Sequence, residues 1–195
     1  MPVYPGDPPV SFHAHATLDG DGFRVSRVSM GTHAGTHLDA PAHFLAAGAT
    51  VDRLPLGALV GPARLVDFTS LPADPACQLD RLGQVSPGER LLIRTDWDRQ
   101  FGRPAYYKEF PSFSSDTVRA LAGGPVALIG LETPSLCADH AADAEAHRLL
   151  LSAGVVIVEG LTGLSRLPEQ VWLIVLPLPL TGLDGSPCRV IAAGR

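Results

Sequence analysis

Residues 33–43 read His33-Ala-Gly-Thr-His37-Leu-Asp39-Ala-Pro-Ala-His43, gathering three of the chain's seven histidines with an aspartate, a glycine and a proline. Imidazole nitrogens and a carboxylate are the donor set of zinc and related divalent ions. A helix would not present them together, because Asp39 would stand about 200° around from His37. In an extended chain His33, His37, Asp39 and His43 share one parity and point to one side. A straight strand would set His33 and His37 roughly 13 Å apart at about 3.3 Å per residue, too far for ligands that bond zinc at about 2 Å. The chain must bend between them: Gly35 permits the bend, and Pro41 ends strand pairing before His43. A lone histidine is ordinarily a core or surface residue, but four such groups flanked by small residues point to a metal ion.

A complete site needs further ligands. Glu159 follows Gly-Val-Val-Ile-Val at 154–158, which reads as a buried strand, and a carboxylate at its end must lose its charge or meet a cation. On the preceding stretch His140 and His147 are seven residues apart and share a helix face with Asp143 between them, while Leu149, Leu150 and Ala153 supply the apolar side. If that helix packs on the strand, His147 and Glu159 reach a common point; the alternative for His147 is an exposed helix residue. His13 and His15 alternate on a strand and read as surface residues. Trp97 could reach the site from a strand end, and Trp172 reads as core. Cys137 and Cys188 read as small buried hydrophobes.

The elements that must position these groups follow from apolar runs and turn signals. Residues 12–29 read as a β-hairpin turning at Asp19-Gly20-Asp21-Gly22. Runs at 63–68, 90–95, 126–131, 155–158, 171–176 and 189–192 read as buried strands. Residues 114–121 and 138–152 carry helical periodicity, the first capped by a serine cluster and the second stopped by Gly154. The expected class is α/β with a strand-dominated centre. At 195 residues the chain fits one domain, taken as 1–195, with a full core. A net charge of -5 with scattered basic residues disfavours nucleic acid and anionic membrane as partners and favours a small molecule. Three cysteines without a CxxC disfavour both a disulfide framework and a cysteine zinc site, and suit a reducing cytoplasm. No apolar signal region opens the chain, and its longest apolar run, 171–180, is short and holds two prolines.

The stretch His33 to His43 resembles the HxGTHxDxPxH signature of the metal-dependent cyclase-like hydrolases, the family of bacterial kynurenine formamidase and isatin hydrolase. The likeness extends to Pro2-Val-Tyr-Pro-Gly-Asp7, Leu131-Glu-Thr-Pro-Ser135, the pair His147 and Glu159, and Leu183-Asp-Gly-Ser-Pro187. It implies an α/β domain of the swivelling β/β/α type, with mixed, barrel-like sheets and flanking helices, assembled as a dimer or larger. It also implies two divalent metal ions, zinc or alternatively manganese. By the resemblance His33 and His37 hold one ion, Asp39 bridges both, and His147 and Glu159 hold the second, with His43 as proton donor and acceptor. The implied reaction is hydrolysis of an aryl formamide such as N-formylkynurenine, a step of tryptophan catabolism, by a metal-activated water. An isatin-type cyclic amide hydrolase, a lactonase or cyclase of a secondary metabolite, and a silent metal-binding domain are the alternatives. Tyr4 stands where formamidases carry a tryptophan against the substrate, so it is the expected substrate contact, or else a tyrosine packed in a proline-rich turn. Glu132 replaces their frequent aspartate and is expected to alter the pocket. The strand that usually precedes the Pro-Gly-Asp segment has no counterpart in this sequence, so either a shortened start or a different sheet edge is expected.

Overall fold

The apolar runs become the walls of a barrel. The computed structural model describes residues 1–70 and 75–194. Its strands are β1 (Ser11–Ala16), β2 (Val25–Ser29), β3 (His37–Asp39), β4 (Val60–Asp67), β5 (Glu89–Arg94), β6 (Val126–Leu131), β7 (Val156–Glu159), β8 (Gln170–Pro177) and β9 (Gly185–Gly194). The helices are α1 (Leu18–Asp21), α2 (Leu56–Leu59), α3 (Pro75–Leu82), α4 (Ser115–Gly123) and α5 (His140–Ser152). Seven strands close in the order β3-β7-β6-β5-β4-β8-β9. From β4 through β7 the neighbours are parallel, each pair joined through a helix, whereas β3, β8 and β9 pair antiparallel.

This topology explains why the central strands read as unbroken apolar runs. The parallel strands are covered on both faces, as βαβ crossovers require. Leu92, Leu128, Val156 and Val158 point into the barrel with Leu38 and Leu173. Their neighbours Leu91, Ile93, Ile129 and Ile157 pack outward against Val118 and Leu121 of α4 and Leu150 and Leu151 of α5. Helix α4 starts where Ser114 accepts the amide of Thr117, and α5 where Asp139 accepts those of Ala141 and Ala142. Gly154, at a φ of +79°, turns the chain out of α5 into β7.

The hairpin forms, with β1 and β2 antiparallel in a ribbon apart from the barrel, but its turn is a helical one. The Thr17 hydroxyl accepts the Gly20 amide, and the Thr17 amide donates to the Asp21 carboxylate, so the Asp-Gly repeat closes a turn of α1. Helix 138–152 starts at His140 because Asp139 is its cap. Strand 189–192 extends to Gly185, which lets β9 pair with β3. Helix α3 was not expected from the sequence. Trp172 is 43% exposed rather than core, since β8 alternates and only Val171, Leu173 and Val175 face inward.

Candidate metal centre

Strand β3 is three residues long and carries the centre. Leu38 enters the barrel core fully buried, and the period of two sends His37 and Asp39 to the opposite face. His37 is in register with Glu159 of β7, and Asp39 with Gly185 of β9. The bend expected before His37 is present at Gly35, whose φ is +72°. Gly160 packs so closely on it that a Cβ there would stand 2.8 Å from the Gly35 carbonyl oxygen. The Thr36 hydroxyl donates to the Gly160 carbonyl at 2.6 Å and ties the two turns together. After Asp39 the chain leaves the sheet, and Pro41–His43 form a 3-10 turn that returns His43 to the same side.

His33, His37, Asp39, His147 and Glu159 meet in one cluster. His147 Nε2 lies 3.4 Å from Asp39 Oδ2 and 3.3 Å from Glu159 Oε1. His37 Nε2 lies 3.5 Å from both Asp39 Oδ1 and Glu159 Oε2. The rear nitrogens are tethered: Nδ1 of His37 stands 2.8 Å from the Gly35 carbonyl, and Nδ1 of His147 stands 2.8 Å from that of Asp143. Each ring therefore offers a bare Nε2 to the carboxylates when neutral. His33 is reversed, with Nδ1 2.8 Å from Asp39 Oδ1 and Nε2 2.9 Å from Asp184 Oδ2. His43 stacks on His33 at 3.9 Å between ring centroids, with Nδ1 3.4 Å from Asp184 Oδ2.

Asp39 Oδ2 and Glu159 Oε1 are buried without a hydrogen bond. Carboxylate oxygens left so are costly, and facing imidazole nitrogens they fit a divalent cation. Among the described residues three groups have ligand atoms within 4.8 Å of one another: Asp39, His147 and Glu159; His33, His37 and Asp39; and His33, His43 and Asp184, so Asp39 joins the first two and His33 the last two. Without an ion, protons take its place. Burial opposes charge on His33, but Asp39 and Asp184 outweigh it and raise its pKa to about 9. His37 and His147 are raised against burial in the same way by Glu159 and Asp39. Burial likewise disfavours the Asp39 carboxylate, yet His147, His33 and His37 hold it well below its usual range. His43 moves the other way: burial, with the charges of His33 and His147, lowers its pKa despite Asp39.

The cluster opens into a cavity of about 200 Å³ whose lining includes His43, Phe44, Tyr4, Tyr106, Tyr107 and His140. Tyr4 is half-buried and meets Tyr107 edge-on at 5.6 Å. Tyr106 is fixed by its own hydroxyl, which donates to the Glu132 carbonyl, and by Trp97, whose indole donates to the Tyr106 carbonyl. Trp97 itself lines a neighbouring cavity rather than this one. Glu132 is likewise outside the lining, because its carboxylate turns to the amides of Thr95 and Asp96. His13 and His15 lie on the outlying ribbon. Asp184, Asp143, Tyr106 and Tyr107 were not assigned roles from the sequence. Asp143 had a signal in its helix face, and its carboxylate accepts from Ser135 Oγ and the Cys137 amide. The tyrosines lie in an irregular segment with no period to mark them.

The cyclase family model matches residues 1–138. Kynurenine formamidase of Salinibacter ruber (strain DSM 13855 / M31) is 34% identical, over 97% of this chain and 90% of that protein. The solved structure of a potential metal-dependent hydrolase with cyclase activity is 31% identical with a TM-score of 0.77, covering 97% of this chain and 90% of that one. An isatin hydrolase bound to the product analogue thioisatinate is 25% identical with a TM-score of 0.83, covering 98% and 86%.

Proposed function

The chain belongs to the cyclase family and is a metal-dependent hydrolase of carbon–nitrogen bonds other than peptide bonds, and from that premise we propose that its substrate is an aryl formamide such as N-formylkynurenine. The observation that carries this reading is the pair of buried carboxylate oxygens of Asp39 and Glu159 that accept no hydrogen bond, set against histidine nitrogens at the floor of an aromatic-walled cavity. His33, His37, Asp39, His147 and Glu159 are the proposed metal ligands and would hold two divalent ions, Asp39 being common to the groups His33–His37–Asp39 and Asp39–His147–Glu159. Zinc fits this mixed nitrogen and oxygen set best, and manganese is the alternative. Such ions supply a water acidified towards neutrality and a Lewis acid for the substrate carbonyl.

The chain's own residues do the rest. His43 lines the cavity, and its lowered pKa leaves it neutral near pH 7, the state in which it can accept a proton. With Nδ1 turned to Asp184, Nε2 is the nitrogen that takes a proton from the attacking water and returns it to the leaving nitrogen. Tyr4, with Tyr106 and Tyr107, offers ring edges and faces for an aryl group and excludes water from it. A cyclic amide of the isatin type is the second reading, supported by the isatin hydrolase likeness.

We take residues 1–195 as one cyclase-like domain acting as a homo-oligomer in the cytoplasm. The ribbon of β1 and β2 exposes Phe12 and Val28, and the turn between them exposes Phe23, which suits a face covered by another copy. The free state of Cys77, Cys137 and Cys188 suits a reducing compartment. No helix among the described residues is long and apolar enough to cross a membrane.

Steady-state hydrolysis of N-formylkynurenine and of isatin by zinc- or manganese-loaded protein tests the reading. We expect turnover of the formamide, falling about 10²–10⁴-fold in kcat for His43→Ala, the usual contribution of a positioned proton-transfer group. Turnover of isatin alone would favour the second reading, and His43→Ala at full activity would remove His43 from the chemistry.

A further inference from the structure

The three histidines of the cluster are backed by different kinds of acceptor. Behind His37 and His147 stand main-chain carbonyls, whereas behind His33 stands a side chain, the Asp184 carboxylate. Asp184 is itself anchored: Oδ1 accepts from the Thr32 hydroxyl at 3.2 Å, and its carbonyl accepts the Ala40 amide at 2.9 Å. The next residue seats the loop against the ring, since a Cβ on Gly185 would lie 2.8 Å from His33 Cε1 and 2.9 Å from the Leu38 carbonyl oxygen. The loop thus lies close on the ring, and the carboxylates at Nδ1 and Nε2 set which edge of His33 faces Asp39.

A neutral imidazole carries one proton. Placed on Nε2 it is donated to Asp184, which leaves the Nδ1 lone pair directed at Asp39 Oδ1 only 2.8 Å away. In the metal-free protein a second proton on Nδ1 spans that gap to Asp39, and an ion would replace that proton, since the same orientation is that of a metal-facing nitrogen backed by a carboxylate. We propose that Asp184 is a positioning residue for the metal centre: it holds His33 in the Nε2–H tautomer with Nδ1 offered to the ion, and its Oδ2 keeps His43 stacked alongside. The inference rests on His33 being a ligand, as in the function proposed above.

The test is zinc affinity of chelated protein by competition with a chromophoric chelator, in wild type, Asp184→Ala, His33→Ala and the double variant. Melting of the metal-free forms checks that each is folded. Loss of the backing carboxylate should weaken zinc binding about 10–100-fold, while adding Asp184→Ala to His33→Ala should weaken it little further. Asp184→Leu, close in size and unable to accept a hydrogen bond, is read in the same way if the alanine variant does not fold. Unchanged zinc affinity in the Asp184 variants, or a loss fully additive with that of His33→Ala, overturns the proposal and leaves the metal reading standing. Wild-type protein that takes up no divalent ion overturns both.

Discussion

At the scale of residues, the centre is a set of charges arranged for a cation, which gives the metal-free protein a distinctive pH response. His33, His37 and His147 have raised pKa values in the fold, that of His33 about 9 against an ordinary 6.5. A histidine so raised contributes stability that is fully present below its unfolded pKa and is lost as pH rises through the folded one. Chelated protein should therefore melt at progressively lower temperature from about pH 6.5 to pH 9 in a thermal scan. Zinc should bind more tightly over the same window, because it displaces those protons. A melting temperature that is flat or rises there would mean that the imidazoles do not carry the protons assigned to them. The sequence brought these residues to notice, since the parity of His37 and Asp39 along an extended stretch and a carboxylate ending an apolar strand are local signals, whereas His33 and His43 stand in turns. Asp184 was not legible as a partner of His33, because the pairing spans 151 residues and leaves no spacing to read. Tyr106 and Tyr107 sit among turns, where neither period applies.

At the scale of elements, α5 presents His140, Asp143 and His147 along one face, and β3 presents His37 and Asp39 against β7. The helix is set by Asp139, whose carboxylate takes two amides of its first turn. Asp139→Ala should cost about 1 kcal/mol of stability by denaturant titration, the ordinary worth of such a cap. A loss of zinc affinity without loss of stability would show that the cap also tunes the position of His147. The long strands were legible because they are buried on both faces. That same uniformity hid the inward and outward alternation of β8 and led Trp172 to read as core. Helix α3 is short and begins at a proline, so it had no extended period to show. The Asp-Gly repeat of the hairpin satisfies a helical turn as readily as a two-residue one, and the Thr17 hydroxyl decides between them.

At the scale of the whole molecule, function depends on a closure that no local pattern announces. Strand β3, too short to display a period, joins β7 to β9 and so brings residues 33–43, 159 and 184 around one point. The family resemblance supplied the barrel-like centre, and the apolar runs supplied its walls. The central claim is that this point of closure is the metal centre. Its most direct test is anomalous diffraction at the zinc edge from crystals of zinc-loaded protein. We expect peaks bounded by Asp39, Glu159, His147, His37 and His33. Zinc bound only elsewhere, or none at this cluster in crystals that hold the cation, would contradict the account.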